Sequence, residues 1–313
     1  MQYRANPKVL DPRYLHHVFL SPALRYQFGV HEGSGSVVSH IRVGDCYKFK
    51  ILLPHLNEQS VIASILGTLD DKINLNLQMS KNLEQIAHSL FKRWFIDFEF
   101  PNENGNPYKS SGGRMVDSEF GKIPEGWRVG KLGDIADEKR KNVKVEDLNP
   151  ETSYFGLEHM PRKSISLSEW GNANEVSSNK LIFEKGDVLF GKLRPYFHKV
   201  GVAPIDGVCS TDIIVISPEE NYYSFVLSIV SSEKFVEYAT QTSDGTKMPR
   251  ANWRTLVKYP VVIPDKLTSY RYNEIVSTFV DIMYKNIFEC KNLSQIRDSL
   301  LPKLMSGKIR VQI

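Results

Sequence analysis

From about His55 to Phe98 the chain reads as one uninterrupted helix of roughly 42 residues, about 60 Å long at the usual rise per residue. Steps of 4, 3, 4 and 3 from Ile62 give Leu66, Leu69, Ile73, Asn76, Ser80, Leu83, Ala87, Leu90 and Trp94, a heptad seam with two polar interruptions near its middle. An apolar stripe on a helix this long requires a partner helix.

The partner lies in the same chain. Lys81-Asn82-Leu83-Glu84-Gln85-Ile86-Ala87-His88-Ser89-Leu90 returns as Lys291-Asn292-Leu293-Ser294-Gln295-Ile296-Arg297-Asp298-Ser299-Leu300, at an offset of 291 − 81 = 210 with seven identities in ten. The same offset sets Gly35 on Gly245, Lys48 on Lys258 and Pro54 on Pro264. It carries the seam onto Tyr272, Val276, Phe279, Met283, Asn286, Cys290, Leu293, Arg297, Leu300 and Leu304. Two copies of one unit are therefore expected, paired through antiparallel helices. Asn76 and Asn286, near the two helix midpoints, are candidates to fix the register of that pairing. The second copy opens near Gly126-Trp127, so the first should open near 126 − 210 = −84, and an incomplete first copy is expected.

With 41% hydrophobic and 24% charged residues, 313 residues suffice for two globular domains with cores of their own. Cys46, Cys209 and Cys290 are odd in number, far apart and in no metal-ligand spacing. No apolar run approaches the length of a membrane span or a signal segment, so a cytoplasmic protein without membrane attachment is expected. The net charge of +4 is compatible with nucleic acid without requiring it, so the distribution of cations must decide.

Residues 1–54 read as the C-terminal part of a first globular domain: the end of a strand at Gln2–Ala5, a helix opened by Asp11-Pro12, a turn at Gly33–Ser36 and an apolar strand from Phe49 to Leu53. The first long helix then fills 55–100. Its aromatic end, Phe91 to Phe98, reads as packing on a neighbouring domain, with a docking face for another subunit as the alternative. Residues 101–126, rich in Pro, Asn, Gly and Ser, read as a linker. The complete domain is 127–266, with strands expected at Ser153–Leu157, Val188–Phe190, Val200–Ala203, Ile213–Ile216 and Tyr259–Ile263 and a helix from Tyr222 to Ala239. A second long helix with a basic tail occupies 267–313. The fold class is α/β (α+β) plus a long antiparallel coiled coil.

Two stretches concentrate side chains able to grip phosphate and touch bases. Gly186 to Lys199 presents Lys192, Arg194, His198 and Lys199 interleaved with Tyr196 and Phe197. Ser243 to Arg254 offers Lys247, Arg250, Asn252 and Arg254, including the types that contact guanine and adenine edges. A third basic run, with Lys139 and Arg140 at its head, is by itself more often a solvated loop. Catalytic readings find little support: Asn106-Pro107-Tyr108 lacks the second proline of an adenine methyltransferase motif, no phosphate loop is present, and the eight histidines show no metal spacing. No cofactor, metal or catalytic residue is therefore expected.

Leu53-Pro54-His55-Leu56-Asn57-Glu58-Gln59 running into Ile65-Leu66-Gly67-Thr68-Leu69-Asp70-Asp71-Lys72-Ile73, then Leu90-Phe91-Lys92-Arg93-Trp94-Phe95 and Leu301-Pro302-Lys303-Leu304-Met305-Ser306-Gly307, closely resemble the specificity subunits of type I restriction-modification systems. Gly186-Asp187-Val188-Leu189-Phe190 with Arg194-Pro195, and Gly245-Thr246 with Met248-Pro249, extend the resemblance over essentially the whole chain. It implies two target recognition domains held apart by two long helices, each reading half of a split double-stranded DNA sequence. The helices would bind methyltransferase subunits, to which restriction subunits add, and the chain itself would be non-catalytic. The chain departs from the pattern at its start: the mate of the 186–199 stretch would fall before residue 1 (186 − 210 = −24). That leaves three routes to function: a fragment, a homodimer reading a symmetric site, or completion by another polypeptide. A scaffold that binds methyltransferase subunits without reading DNA is the rival reading.

Overall fold

In the computed structural model, which describes residues 4–30 and 41–312, the helices are α1 (Pro12–Leu20), α2 (Pro22–Val30), α3 (Val43–Cys46), α4 (Leu56–Phe91), α5 (Tyr223–Val230), α6 (Glu233–Gln241), α7 (Trp253–Leu256) and α8 (Lys266–Met305). Gln2 and Tyr3 of the expected strand end and the whole Gly33–Ser36 turn lie outside the described residues, while Arg4 and Ala5 belong to no strand. The offset found in the sequence recurs in the elements: α3 and α7 end 256 − 46 = 210 residues apart, and α4 and α8 begin 266 − 56 = 210 apart. The chain divides into two units, one of residues 1–78 and 288–313 and the other of 79–287, so each long helix contributes to both.

In the first unit α1 starts where expected, with the Asp11 carboxylate accepting the Arg13 amide at 2.8 Å and Pro12 in its first turn. Tyr14, Val18 and Leu24 bury against Ile62 and Leu66 of α4 and Leu301, Leu304 and Met305 of α8. Gln59, fully buried, ties the start of α4 to the chain before α1. Its amide donates to the carbonyls of Val9 (3.0 Å) and Pro54 (2.8 Å) and accepts from the Asp11 amide (2.9 Å). The two long helices run in opposite senses here: Asp70 meets Arg297 at 2.8 Å, and Asn76 donates to Glu289 at 2.7 Å. The apolar stretch Phe49–Leu53, expected as a strand, has no β-ladder.

The second unit carries the strands: β1 (Met115–Ser118), β2 (Gly121–Pro124), β3 (Arg128–Lys131), β4 (Ala136–Glu138), β5 (Asn142–Val143), β6 (Ser153–Phe155), β7 (Gly171–Asn172), β8 (Lys180–Phe183), β9 (Val188–Gly191), β10 (Val200–Val202), β11 (Gly207–Cys209), β12 (Ile213–Pro218) and β13 (Pro260–Ile263). One sheet has the order β10-β9-β12-β4, another β5-β8-β11-β6-β7, and β13 pairs only with β3 among them. Strands β9, β10 and β12 are apolar on both faces because helices and the second sheet cover them, which is why they read as continuous apolar runs.

Residues 101–126 are more than a linker. β1 and β2 form a hairpin, and Phe100 and Ile123 bury in the same core as Trp127. The turn-rich composition of 101–113 makes tight turns ahead of it, closed by bonds from the Gly105 amide to the Asn102 carbonyl and from the Gly112 amide to the Lys109 carbonyl. The single helix expected over 222–239 is broken, because Ser232 leaves helical geometry and its hydroxyl caps α6 by accepting the Phe235 amide at 3.2 Å. At the end of α4 the backbone loosens into a π-turn, Lys92–Ile96, and Phe95 packs between Phe225 (4.7 Å between ring centroids) and Tyr272 (4.8 Å). Those aromatics therefore serve the domain core. The helices are again opposed: Asn286 donates to Ser80 at 3.1 Å, and the Tyr272 hydroxyl to the Ala87 carbonyl at 3.4 Å.

Candidate nucleic-acid interface

The motif Gly186-Asp187-Val188-Leu189-Phe190 is a strand-entry device. Gly186 takes φ +94°, which side-chain-bearing residues rarely adopt, and the Asp187 carboxylate accepts the Glu184 amide at 2.8 Å. Val188 to Phe190 then bury completely, and β9 delivers Lys192 and Arg194 at its far end.

There the two basic stretches singled out in the sequence meet. The Arg194 amide donates to the Pro249 carbonyl at 2.7 Å and the Ala251 amide to the Lys192 carbonyl at 2.9 Å, with an isolated bridge between Leu193 and Arg250. Asp212 braces both: its carbonyl accepts the Lys192 amide (2.9 Å) and its carboxylate the Arg250 Nε (3.1 Å). Loops some 55 residues apart in sequence thus form one surface carrying Lys192, Arg194, Tyr196, Lys247 and Arg250, of which Tyr196, Lys247 and Arg250 are exposed.

The turn Pro195–Phe197 is bracketed by Arg194 (φ 50°) and His198 (φ 52°), both left-handed without being glycine. For a residue preceding proline this is a strained conformation, of order 1–3 kcal/mol, held by the packing around it. Among the described residues the Nε of Arg194 is buried and has no hydrogen-bond partner. A buried donor without an acceptor is costly in the free protein.

The remaining candidates divide. His198 is an interior residue: its Nε2 lies 2.8 Å from the Ser231 carbonyl, and burial pushes its pKa below the usual imidazole value. The Lys199 amine donates to the Leu157 carbonyl and is likewise shifted down, by burial first and then by Arg162. Both brace the turn from beneath. Asn252 spends its side-chain oxygen capping α7 through the Arg254 amide at 3.1 Å, whereas Arg254 is exposed. Lys139 and Arg140 do not join the surface. Lys139 sits at the entry end of β9, held by Asp187 (3.0 Å) and Glu184 (2.9 Å), which raise its pKa despite burial, and Arg140 pairs with Glu138 at 2.6 Å. Their cationic charge is already neutralised, that of Lys139 by partners far in sequence and that of Arg140 by its near neighbour Glu138.

One contributor had no sequence signal. The Arg162 guanidinium lies 4.2 Å from the Phe197 ring centroid, and the neighbouring Lys163 amide donates to the His198 carbonyl at 2.8 Å. The loop that carries them is anchored by Glu84 of α4, whose Oε1 accepts from the Ser164 hydroxyl (2.8 Å) and the amides of Ile165 (2.8 Å) and Ser166 (3.1 Å). Only tertiary folding brings these together. The fold likewise gathers His16, His17 and Asp70, whose ligand atoms lie within 4.8 Å of one another, although the histidines show no metal spacing in sequence; Asp70 there is already paired with Arg297.

The pattern of the family described as the type I restriction modification DNA specificity domain matches residues 6–85 and 124–296. The chain belongs to this family. Among relatives of the type I specificity family, it is 26% identical over 301 residues to the type I restriction enzyme EcoDI specificity subunit of Escherichia coli, covering 90% of this chain and 67% of the relative. It is 26% identical over 290 residues to the MjaIX specificity subunit of Methanocaldococcus jannaschii, covering 89% and 65%. The chain thus spans about two thirds of the length of these relatives. A crystal structure of a type I restriction-modification system S subunit from M. genitalium shares its fold, with a TM-score of 0.60 at 18% identity over 96% of this chain and 74% of that one. Among the described residues no helix is long and apolar enough to cross a membrane.

Proposed function

We propose that this chain is the non-catalytic DNA-recognition subunit of a type I restriction-modification assembly, acting in the cytoplasm. Its 127–266 domain reads one part of a split double-stranded target, and its long helices carry methyltransferase subunits and, through them, restriction subunits. The observation that carries the reading is the union of the 192–199 and 243–254 loops into one cationic, aromatic-bearing surface with a buried, unpartnered Arg194 Nε. Lys192, Arg194, Lys247, Arg250 and Arg254 are the expected phosphate and base contacts, Tyr196 stacks or packs on sugar, and His198, Lys199 and Asn252 set the loop shapes.

The partner reading rests on a comparison inside the chain. Asn82, Gln85, Ile86 and Ser89 are exposed and identical to Asn292, Gln295, Ile296 and Ser299, which are exposed as well, while the buried Ala87 is matched by Arg297. In the same stretch the exposed His88 gives way to Asp298 and the seam keeps Leu83 and Leu90 as Leu293 and Leu300, so the inference rests on the four repeated exposed side chains, which would suit two copies of one partner bound at equivalent faces. We read the chain accordingly as a tandem repeat whose 127–266 domain is followed by the second long helix, with the helical pair acting as spacer.

The variant Lys192→Ala with Arg194→Ala separates recognition from scaffolding. It should lower DNA affinity at least tenfold, flatten the slope of log affinity against log salt by about 0.9 for each phosphate that is no longer neutralised, and abolish methylation while the methyltransferase subunit still co-purifies. Unchanged methylation would refute the recognition surface. Methyltransferase binding without any DNA affinity in the parent chain would favour the scaffold reading.

A further inference from the structure

The repeat provides an internal control for a side-chain cluster that the DNA surface does not use. Helix α1 ends at Leu20 and α5 at Val230, 230 − 20 = 210 residues apart, so α5 is the mate of α1. At the same offset His16, His17, Asp70 and Arg297 stand where the second unit has Val226, Leu227, Val280 and Ala87. Those four are buried together in the core of the second unit. One helical arrangement thus closes with four apolar side chains in one copy and carries four ionisable ones in the other. Packing does not require the exchange, and burying polar groups costs free energy unless partners satisfy them.

The four satisfy one another only in part. Arg297 donates to Oδ1 of Asp70 at 2.8 Å and to Oδ1 of Asp298 at 2.9 Å, and Oδ2 of Asp70 lies 3.9 Å from Nδ1 of His17. That distance is too long for a hydrogen bond. His17 is 3% exposed, and among the described residues its Nδ1 has no hydrogen-bond partner. An imidazolium paired with the carboxylate does not account for the arrangement: burial first, then His16 and Arg297, lowers the His17 pKa from 6.5 against the pull of Asp70. The His16 ring centroid is 5.2 Å from that of His17, and one ligand atom from each of His16, His17 and Asp70 lies within 4.8 Å of the other two. Among the described residues no other three His, Cys, Asp or Glu side chains converge in this way.

We propose that His16, His17 and Asp70 bind one divalent transition-metal ion of the zinc class, which fastens α1 to α4. Two ligands each about 2.1 Å from one ion stand roughly 3–4 Å apart, so the 3.9 Å between His17 and Asp70 already spans such an ion. His16 is exposed; rotation of its side chain closes the remaining gap, and its position leaves an entry path and room for water as a fourth ligand. Two imidazoles and one carboxylate suit zinc, nickel or cobalt, whereas magnesium and calcium take oxygen ligands. Arg297 orients the carboxylate through its other oxygen, and Asp298 offsets the charge that Arg297 brings. The site stands apart from the DNA surface and from the partner faces of the long helices.

The test is calorimetric titration of the tag-free full chain, stripped by a chelator, with zinc chloride and separately with magnesium chloride. Zinc should bind at one equivalent per chain with a Kd below about 10 μM, and magnesium at the same concentrations should not bind. His16→Ala, at an exposed position, should weaken zinc binding at least tenfold without moving the urea midpoint of the metal-free chain. His17→Leu, which installs the residue type of its mate Leu227, should remove saturable binding. No saturable zinc binding overturns the proposal. An affinity that His16→Ala weakens less than tenfold would put the ion on other residues and overturn it equally, and so would magnesium binding as tight as zinc. None of these outcomes bears on DNA binding, which is measured separately.

Discussion

His198 shows how a residue of phosphate-gripping type is diverted into structure. Its ring sits beneath the Pro195–Phe197 turn on the Ser231 carbonyl, and burial, only partly offset by that hydrogen bond, lowers its pKa from 6.5. The unfolded chain therefore takes up a proton first as pH falls. The stability contribution is full above pH 6.5 and declines from there down toward the folded pKa. His198→Gln, which can keep the bond without titrating, should flatten the fall in urea midpoint between pH 7 and pH 5 relative to the parent; an identical pH profile in both proteins would show that His198 does not titrate with folding. The cationic positions Lys192, Arg194 and Arg250 were legible in sequence because lysine, arginine and aromatics clustered locally. The loss of Lys139 to Asp187 and Glu184, and the gain of Arg162 over Phe197, were not legible, because both depend on partners from distant loops.

At the scale of elements, the long helices were legible from a heptad count: every seam position from Ile62 to Trp94 and from Tyr272 to Leu304 is buried or half-buried. The strands β5 and β7 escaped because two residues carry no periodicity to register. The buried asparagines belong to this scale. Asn76 donates to Glu289, which also pairs with Lys72 at 3.2 Å, and Asn286 donates to Ser80. If they fix register at some expense of stability, Asn76→Leu with Asn286→Leu should raise the melting temperature by several degrees while loosening assembly into more than one species on native mass analysis. A variant no more stable and equally uniform in assembly would sink the idea. The exposed face makes the opposite prediction. Ile86→Asp with Ile296→Asp, at 51% and 47% exposure, should change stability by no more than about 0.5 kcal/mol and yet abolish methyltransferase co-purification. Retained co-purification would move the docking face elsewhere.

For the whole molecule, the proposed function would make recognition and assembly separate properties of one chain, with the strained loops at the end of β9 facing DNA and the repeated helix faces meeting protein partners. If the long helices space two recognition surfaces, as proposed, the symmetry of the modified site reports which recognition domains the assembly contains. The central claim is tested most directly by mapping methylated bases in a cell that carries this chain, its cognate methyltransferase subunit and no other specificity subunit. The account predicts a defined split motif that disappears with Lys192→Ala and Arg194→Ala, palindromic if two copies of the 127–266 domain act together and asymmetric if a different recognition surface reads the second half. An assembled complex that leaves no modified motif would contradict it.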